Sequence, residues 1–170
     1  MQYILPGGFH VARATEADQQ DIQELLLKTA QWLESRGSKQ WSALLDGQDV
    51  HGTAEAIAAG NVFVFRLDNE LAGMVILFWE PTAWDLGLWA GEEPRQAVYL
   101  HRLAIARKHA GSGLGSQILE WALSGIRFPG REVMRLDCMA GVGALNKFYQ
   151  GHGFHFLGER KGFHIYQRPL

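Results

Sequence analysis

The segment Leu103-Ala104-Ile105-Ala106-Arg107-Lys108-His109-Ala110-Gly111-Ser112-Gly113-Leu114-Gly115-Ser116 concentrates the residue types that could do chemistry. A strand-like apolar run leads into closely spaced glycines, and a helix opens among them. A helix N-terminus leaves backbone N–H groups without intrahelical acceptors and carries partial positive charge. Glycine lets such a backbone take positive φ and approach a ligand closely. Together these features make an anion site suited to phosphate or pyrophosphate. The alternative is a glycine turn that serves only tight packing. No Lys-Ser or Lys-Thr follows the glycines, so the segment is not a P-loop. A dinucleotide fingerprint would place a third glycine at Ser116 and would lie in the first βα turn, whereas roughly a hundred residues precede this loop. Glu132 lies about twenty residues on, where that fingerprint expects an acid, and by itself this is a weak match.

Other reactive groups are sparse. Cys138 is the one cysteine, placed mid-strand between Asp137 and Met139, where a small core residue is the commoner use. A lone cysteine excludes a disulfide scaffold and fits a reducing cytoplasm. His152-Gly153-Phe154-His155 crosses from a helix end into a strand and offers no ligand face, so no metal site is expected.

The elements that position the loop follow from periodicity. Phe9 to Ala14 reads as a short strand. Thr15 with Asp18 makes a variant capping box, and Ile22, Leu25, Leu26, Thr29 and Leu33 repeat at helical spacing up to Gly37. A second helix is expected over Thr53 to Ala59, closed by Gly60. Val62 to Leu67 and Leu71 to Trp79 read as strands around an Asp68-Asn69 turn. Pro81 to Pro94 reads as a long loop carrying Trp84 and Trp89. Ala97 to Ile105 is a strand, Gly113 to Phe128 a helix and Val133 to Met139 a strand, which implies a right-handed parallel crossover. Ala144 to Gln150 is a short helix, and Phe154 to Leu157 with Phe163 to Tyr166 makes a closing hairpin-like pair. The expected fold is α/β (α+β): a mixed, mostly antiparallel sheet with a central parallel βαβ crossover and flanking helices.

At 170 residues the chain is expected to be a single domain spanning residues 1–170. Apolar residues make up 47% and charged residues 20%, the balance of a soluble globular protein. A net charge of −2 offers no broad basic surface, so neither nucleic acid nor an anionic membrane is an expected partner. Met1 to His10 lacks the cationic start and apolar run of a signal peptide. No apolar stretch approaches the roughly 18 residues of a membrane span. The sequence leaves a homodimer open.

The loop and a later segment, Ala144-Leu145-Asn146-Lys147-Phe148-Tyr149-Gln150-Gly151-His152-Gly153-Phe154, together resemble the GCN5-related N-acetyltransferase (GNAT) superfamily. Leu103-Ala104-Ile105 matches the strand that precedes its acetyl-CoA loop, and Gly111-Ser112-Gly113-Leu114-Gly115 matches the loop itself. The later segment matches the closing helix with its tyrosine and Gly-Phe. The element order fits nearly the whole chain. Ala110 stands where the family usually has arginine or glutamine, and Val142 where it usually has asparagine. A main-chain cradle needs neither side chain.

The resemblance implies an acetyl-CoA-dependent N-acetyltransferase that acts on a primary amine of a small molecule by direct attack in a ternary complex. Protein or peptide N-acetylation and a non-catalytic CoA-binding sensor are the other classes it leaves open. Donor-binding residues implied are Leu103, Ala104, Ile105, Ala110, Gly111, Ser112, Gly113, Leu114, Gly115, Ser116, Asn146 and Tyr149. A backbone N–H near Ile105 would stabilise the oxyanion. His101 is the first candidate for the base, because strict strand alternation puts Tyr99, His101, Leu103 and Ile105 on one face. Glu80 is the alternative base, and Tyr149 the general acid for the departing thiolate. Arg107 and Lys108 could meet nucleotide phosphates. Trp32, Trp41, Trp79, Trp84 and Trp89 precede the loop, in the half that caps the acceptor side in this family, and point to an apolar or aromatic amine.

Overall fold

The computed structural model describes residues 3–170, so Met1 and Gln2 lie outside the described residues. The strands form an eight-stranded sheet in the order β1-β2-β3-β4-β5-β6-β8-β7. Their bounds are β1 Tyr3–Leu5, β2 Phe9–Arg13, β3 Val62–Leu67, β4 Glu70–Phe78, β5 Ala97–Ile105, β6 Val133–Met139, β7 His155–Arg160 and β8 Phe163–Pro169. The helices are α1 Gln19–Ser35, α2 Thr53–Ala58, α3 Ala83–Leu88, α4 Leu114–Ser124 and α5 Gly143–Gly151. β5 and β6 pair in parallel, through Ala97↔Val133, Val98↔Met134 and Tyr99↔Arg135, and α4 lies between them in the chain. The expected mixed sheet with one central βαβ crossover is therefore the observed one.

The chain divides into two compact units. The first comprises Met1–Ile76 and Arg102–Ile118. Here β1, β2, β3 and β4 pair antiparallel. Thr15 N donates to Asp18 Oδ2 at 2.8 Å, the expected capping box, though it opens a 3-10 turn and α1 proper starts at Gln19. Arg66 of β3 holds Asp18 at 2.8 Å and Asp21 at 2.9 Å, which ties the start of α1 to the sheet. Ile22, Leu25, Leu26 and Ala30 are the buried stripe of α1. Asp68 and Asn69 both take positive φ, 49° and 66°, as a tight hairpin turn requires. Gly73 interrupts the apolar run of β4 because a β-carbon there would lie 2.9 Å from Ile118 Cδ1 and 3.1 Å from the Ala104 carbonyl oxygen.

The second unit comprises Leu77–His101 and Leu119–Leu170. β8 pairs antiparallel with both β6 and β7. Arg135 is buried yet well satisfied: Nε donates to Gln167 at 2.9 Å, and Nη1 donates to the Glu93 carbonyl and the Tyr99 hydroxyl, both at 3.1 Å. Its guanidinium also lies 4.9 Å from the Trp89 ring centroid.

Several expectations are corrected. Pro81 to Pro94 is not a loop, since it contains α3. Thr82 and Asp85 form a capping box, with Thr82 N donating to Asp85 Oδ2 at 2.9 Å, and this local signal outweighs the flanking prolines. Trp89, at the C-cap of α3, is a core residue and lines no open surface. The helix expected over Gly113 to Phe128 spans only Leu114–Ser124 and stops at Gly125, a poor helix former. β1 was not expected. Its three residues are too few for a periodicity, although the Pro6-Gly7-Gly8 turn that pairs it with β2 was a readable signal. The closing hairpin is longer than expected at both strands.

Candidate active site

The glycine-rich loop belongs to the first unit. A 3-10 turn over Arg107–His109 follows β5, and Ala110 leads into Gly111 and Gly113, whose φ angles are +75° and +83°. No heavy atom lies within 4 Å of the place a β-carbon would occupy at either glycine. Both positions thus expose bare main chain to open space at the mouth of α4. That is the shape a pyrophosphate cradle requires, and acetyl-CoA fits this test. Ser112 Oγ donates to the His109 carbonyl at 2.6 Å and sits 3.4 Å from Leu114 N, bracing the turn. Leu114 is buried and anchors α4, while Gly115 and Ser116 are half-buried in its first turn. Arg107 lies over Trp32 at 3.8 Å from the ring centroid, and Lys108 pairs with Glu70, so both cations already have partners in this unit.

On β5 the structure places Leu103 and Ile105 half-buried and Ala104 buried. Ala106 N donates to the Ala72 carbonyl at 2.8 Å. Arg102 takes a φ of 54°, a left-handed conformation that interrupts the pleat. The alternation assumed for Tyr99 to Ile105 therefore breaks after His101. Arg102 is only 4% exposed, and its Nε and Nη1 have no hydrogen-bond partner. It lies 5.2 Å from the Trp41 ring centroid and 3.5 Å from Asp49 Oδ1.

The acid–base groups belong to the second unit. His101 is 7% exposed, and its Nε2 lies 2.8 Å from Asp85 Oδ1. The same Asp85 carboxylate accepts from Thr82 N and Thr82 Oγ1 through its other oxygen, each at 2.9 Å. One carboxylate therefore caps α3 and orients the imidazole. Burial opposes ionisation of Asp85, but the bond and charge of His101 and the Thr82 donors outweigh it and hold the carboxyl below its ordinary value. Asp137 joins this pair: ligand atoms of Asp85, His101 and Asp137 all lie within 4.8 Å of one another. Trp84 Nε1 donates to Asp137 Oδ1 at 3.3 Å. Burial pushes the Asp137 carboxyl above the usual carboxylate range, against the pull of His101 and the Trp84 N–H, with the Asp85 charge adding to the rise. Two carboxyls beside one imidazole are thus driven in opposite directions, which is how one site comes to hold both an acid and a base.

Tyr149 lies on the other side of β6. Cys138 and Leu136 pair with His164 and Tyr166 across the β6–β8 ladder, so these side chains share a face. Asn146 of α5 bonds to the Tyr166 hydroxyl and, at 2.6 Å, to His164 Nδ1, which docks α5 on that face. Tyr149, on α5, is buried with its ring 6.2 Å from that of Tyr166. Burial lifts its hydroxyl well above the ordinary phenol value, with Cys138 and Asp137 adding. Asp137 points to the opposite face. Asn146 is half-buried and engaged at both ends of its amide, since its Nδ2 donates to the Val142 carbonyl at 2.8 Å. Glu80 is exposed and pairs with Arg131 at 2.7 Å. Burial pushes the Cys138 thiol up to about 12, with the Asp137 charge adding, which leaves it inert as a nucleophile.

The structure therefore brings His101 together with two residues not singled out in the sequence, Asp85 and Asp137, and does not join Glu80 to them. Asp85 carried one readable signal, its place three residues after Thr82. Asp137 carried none.

Comparison with known proteins agrees with this fold. The Acetyltransferase (GNAT) domain family matches residues 58–156. The chain is 44% identical over 164 residues to the uncharacterised N-acetyltransferase YesJ of Bacillus subtilis, covering 96% of this chain and 91% of that protein. The crystal structure of a GNAT-family acetyltransferase from Listeria monocytogenes is 35% identical, with a TM-score of 0.85 over the whole of both chains. A PaiA N-acetyltransferase from Thermoplasma acidophilum, solved with coenzyme A, shares the fold at a TM-score of 0.73 and 14% identity over 96% of this chain and 99% of that one.

Proposed function

The chain belongs to the GNAT family of acetyl-CoA-dependent N-acetyltransferases, and from that premise we propose that its acceptor is the primary amine of a small molecule, acetylated by direct attack in a ternary complex. The observation that carries this reading is the His101–Asp85 contact of 2.8 Å beside a half-buried Asp137. A sensor that only bound the donor would have no use for a buried, oriented base, whose desolvation costs stability.

Bound acetyl-CoA supplies an activated thioester carbonyl. The main chain of Gly111, Ser112, Gly113, Leu114, Gly115 and Ser116, entered from Ala110, would hold its pyrophosphate. Leu103, Ala104 and Ile105 would hold the pantetheine arm through their backbone, with the oxyanion donor near Ile105. The β5–β6 ladder supports this, because its pairs end at Tyr99 and Arg135 while β6 runs on to Met139. His101, kept in one orientation by Asp85, serves as the base. An amine attacks only when neutral, so removing its proton is the first task of the site. Tyr149 serves the departing sulfur. A phenol held this far above its ordinary value keeps its proton and donates a hydrogen bond to the thiolate, in place of outright transfer. Asn146 is engaged within α5 and β8 and would act on the donor only by positioning α5.

The test is free-thiol release from acetyl-CoA across a panel of aliphatic and aromatic primary amines, with lysine-containing peptides as competitors. Turnover of a small amine, with little on the peptides, is the expected result. Peptide turnover alone would move the acceptor to the protein class, and release with no acceptor would leave only a donor-binding protein.

A further inference from the structure

We infer that Asp137, which accepts a hydrogen bond from Trp84 beside Phe163, is the residue that receives the acceptor's ammonium group and first takes its proton, with His101 and Asp85 behind it. The inference rests on the amine-acetylating reading above and assigns the group that touches the acceptor.

Accessibility is the first argument. Of the three clustered groups, Asp85 is 1% exposed and His101 7%, while Asp137 is half-buried. A ligand reaching the cluster meets Asp137 first. The second argument is the surroundings. Trp84 donates to Asp137 Oδ1 at 3.3 Å, and its ring packs edge-on against Phe163 at a centroid distance of 4.9 Å and an interplanar angle of 82°. Both rings are half-buried. Phe163 pairs with Met139 across the β6–β8 ladder, and Met139 shares the face of Asp137. A carboxylate rimmed by aromatic rings and a thioether is a surface for an ammonium group on an apolar body.

Charge is the third. Asp85 is held below the ordinary carboxylate value and Asp137 above it, so a full carboxylate stays beside the imidazole and draws a cation to the cluster. The titratable groups beside Asp137 are Asp85 from α3 and His101 from β5, while Cys138 and Tyr149, on the opposite face of β6, feel its charge and stay protonated through the working range. In its ionised form Asp137 presents a carboxylate to the incoming ammonium. One N–H bond breaks and one O–H bond forms: R–NH3+ and Asp137–COO− become R–NH2 and Asp137–COOH. The neutral amine then attacks, and the proton on Asp137 returns to solvent after the product leaves. The second proton, lost from nitrogen as the C–N bond forms, passes to the neutral His101 imidazole and balances the charge of the departing thiolate. No oxidant, metal or further reactant is needed.

Three readouts test this. Asp137→Asn should lower acceptor kcat/KM by about 10²-fold and flatten the acid limb of the pH–rate profile, with acetyl-CoA affinity unchanged, and Asp137→Glu should restore part of the loss. Trp84→Leu should raise the acceptor KM about tenfold with kcat little changed. The third readout needs no turnover. A carboxyl whose folded value is raised favours the folded state below its unfolded value and loses that advantage as pH rises. Asp137→Asn should therefore melt at a higher temperature than wild type near neutrality, and the gap should close as pH falls towards the ordinary carboxylate value of about 4. Asn at 137 with normal acceptor kcat/KM beside an active wild type would overturn the inference alone. So would turnover that a chelator abolishes and zinc restores, which would make the cluster a metal site. No thiol release by the wild type with any amine would instead overturn the acceptor reading on which it rests.

Discussion

The glycine loop and the Asp85–His101–Asp137 cluster are built in opposite ways. At Gly111 and Gly113 the working surface is main chain, exposed, with positive φ and nothing where side chains would be. In the cluster it is side chain, largely buried, drawn from α3, β5 and β6. A cradle for a large anion gains from open backbone dipoles at a helix mouth. An acid–base unit gains from desolvation, which separates the carboxyl pKa values and lets a hydrogen bond fix an imidazole. The loop should therefore govern affinity for the donor, and the cluster the rate.

The largest expected effect is on rate. His101→Gln should lower kcat by about 10²-fold at saturating acetyl-CoA, the usual loss on removing a general base. Next is the loop. Gly113→Val should raise the acetyl-CoA dissociation constant about tenfold or more by calorimetry, since each factor of ten is only about 1.4 kcal/mol. Gly130→Val sharpens the comparison. Gly130 has a φ of +79° and equally open space but is no part of the glycine-rich loop, so it suffers the same strain and affinity should hold. Equal loss of affinity in both would mean that strain, and not a cradle, explains the effect.

Asp85→Asn should cost about 2 kcal/mol, because it weakens a buried cap and leaves His101 poorly oriented. Asp85 is held below its ordinary value, so its contribution is present above the unfolded carboxylate value and fades as pH falls through the folded one. The difference in melting temperature between Asp85→Asn and wild type should accordingly shrink in acid. A pH-independent difference would detach Asp85 from the ionised pair. Tyr149→Phe keeps the ring and should lower kcat about tenfold with donor affinity unchanged, since a bond to a departing thiolate acts only in the transition state. The smallest effect is at Glu80, exposed and paired with Arg131, where Gln should leave turnover near wild type and cost under about 1 kcal/mol.

The contrast also explains what could be read in advance. Gly111, Gly113 and the strand and helix around them are contiguous, and local spacing carries them. The same is true of the Asp68-Asn69 turn, the Thr15–Asp18 box and the β5 and β6 bounds, all read from neighbours in the chain. The cluster is not contiguous. Asp85 joins His101 across 16 residues, and Asp137 lies a further 36 along. Nothing at Asp137 distinguishes it from any polar residue in a strand. Its neighbours are fixed by the β5–β6 and β6–β8 ladders, which are tertiary facts. Strict alternation along β5 misled for a related reason. The left-handed Arg102 is a local exception that a two-residue period cannot anticipate. Trp89 falls in the expected Pro81 to Pro94 loop, and the structure instead buries it against Arg135.

The division of labour is tested most directly by measuring acetyl-CoA affinity and saturated turnover on the same preparations of Gly113→Val and His101→Gln. The loop variant should lose donor affinity and keep kcat once saturated, while the cluster variant should bind the donor normally and lose about 10²-fold in kcat. If His101→Gln weakens donor binding while its saturated turnover stays normal, or Gly113→Val binds as wild type does and turns over slowly, the assignment of affinity to the loop and of rate to the cluster is contradicted.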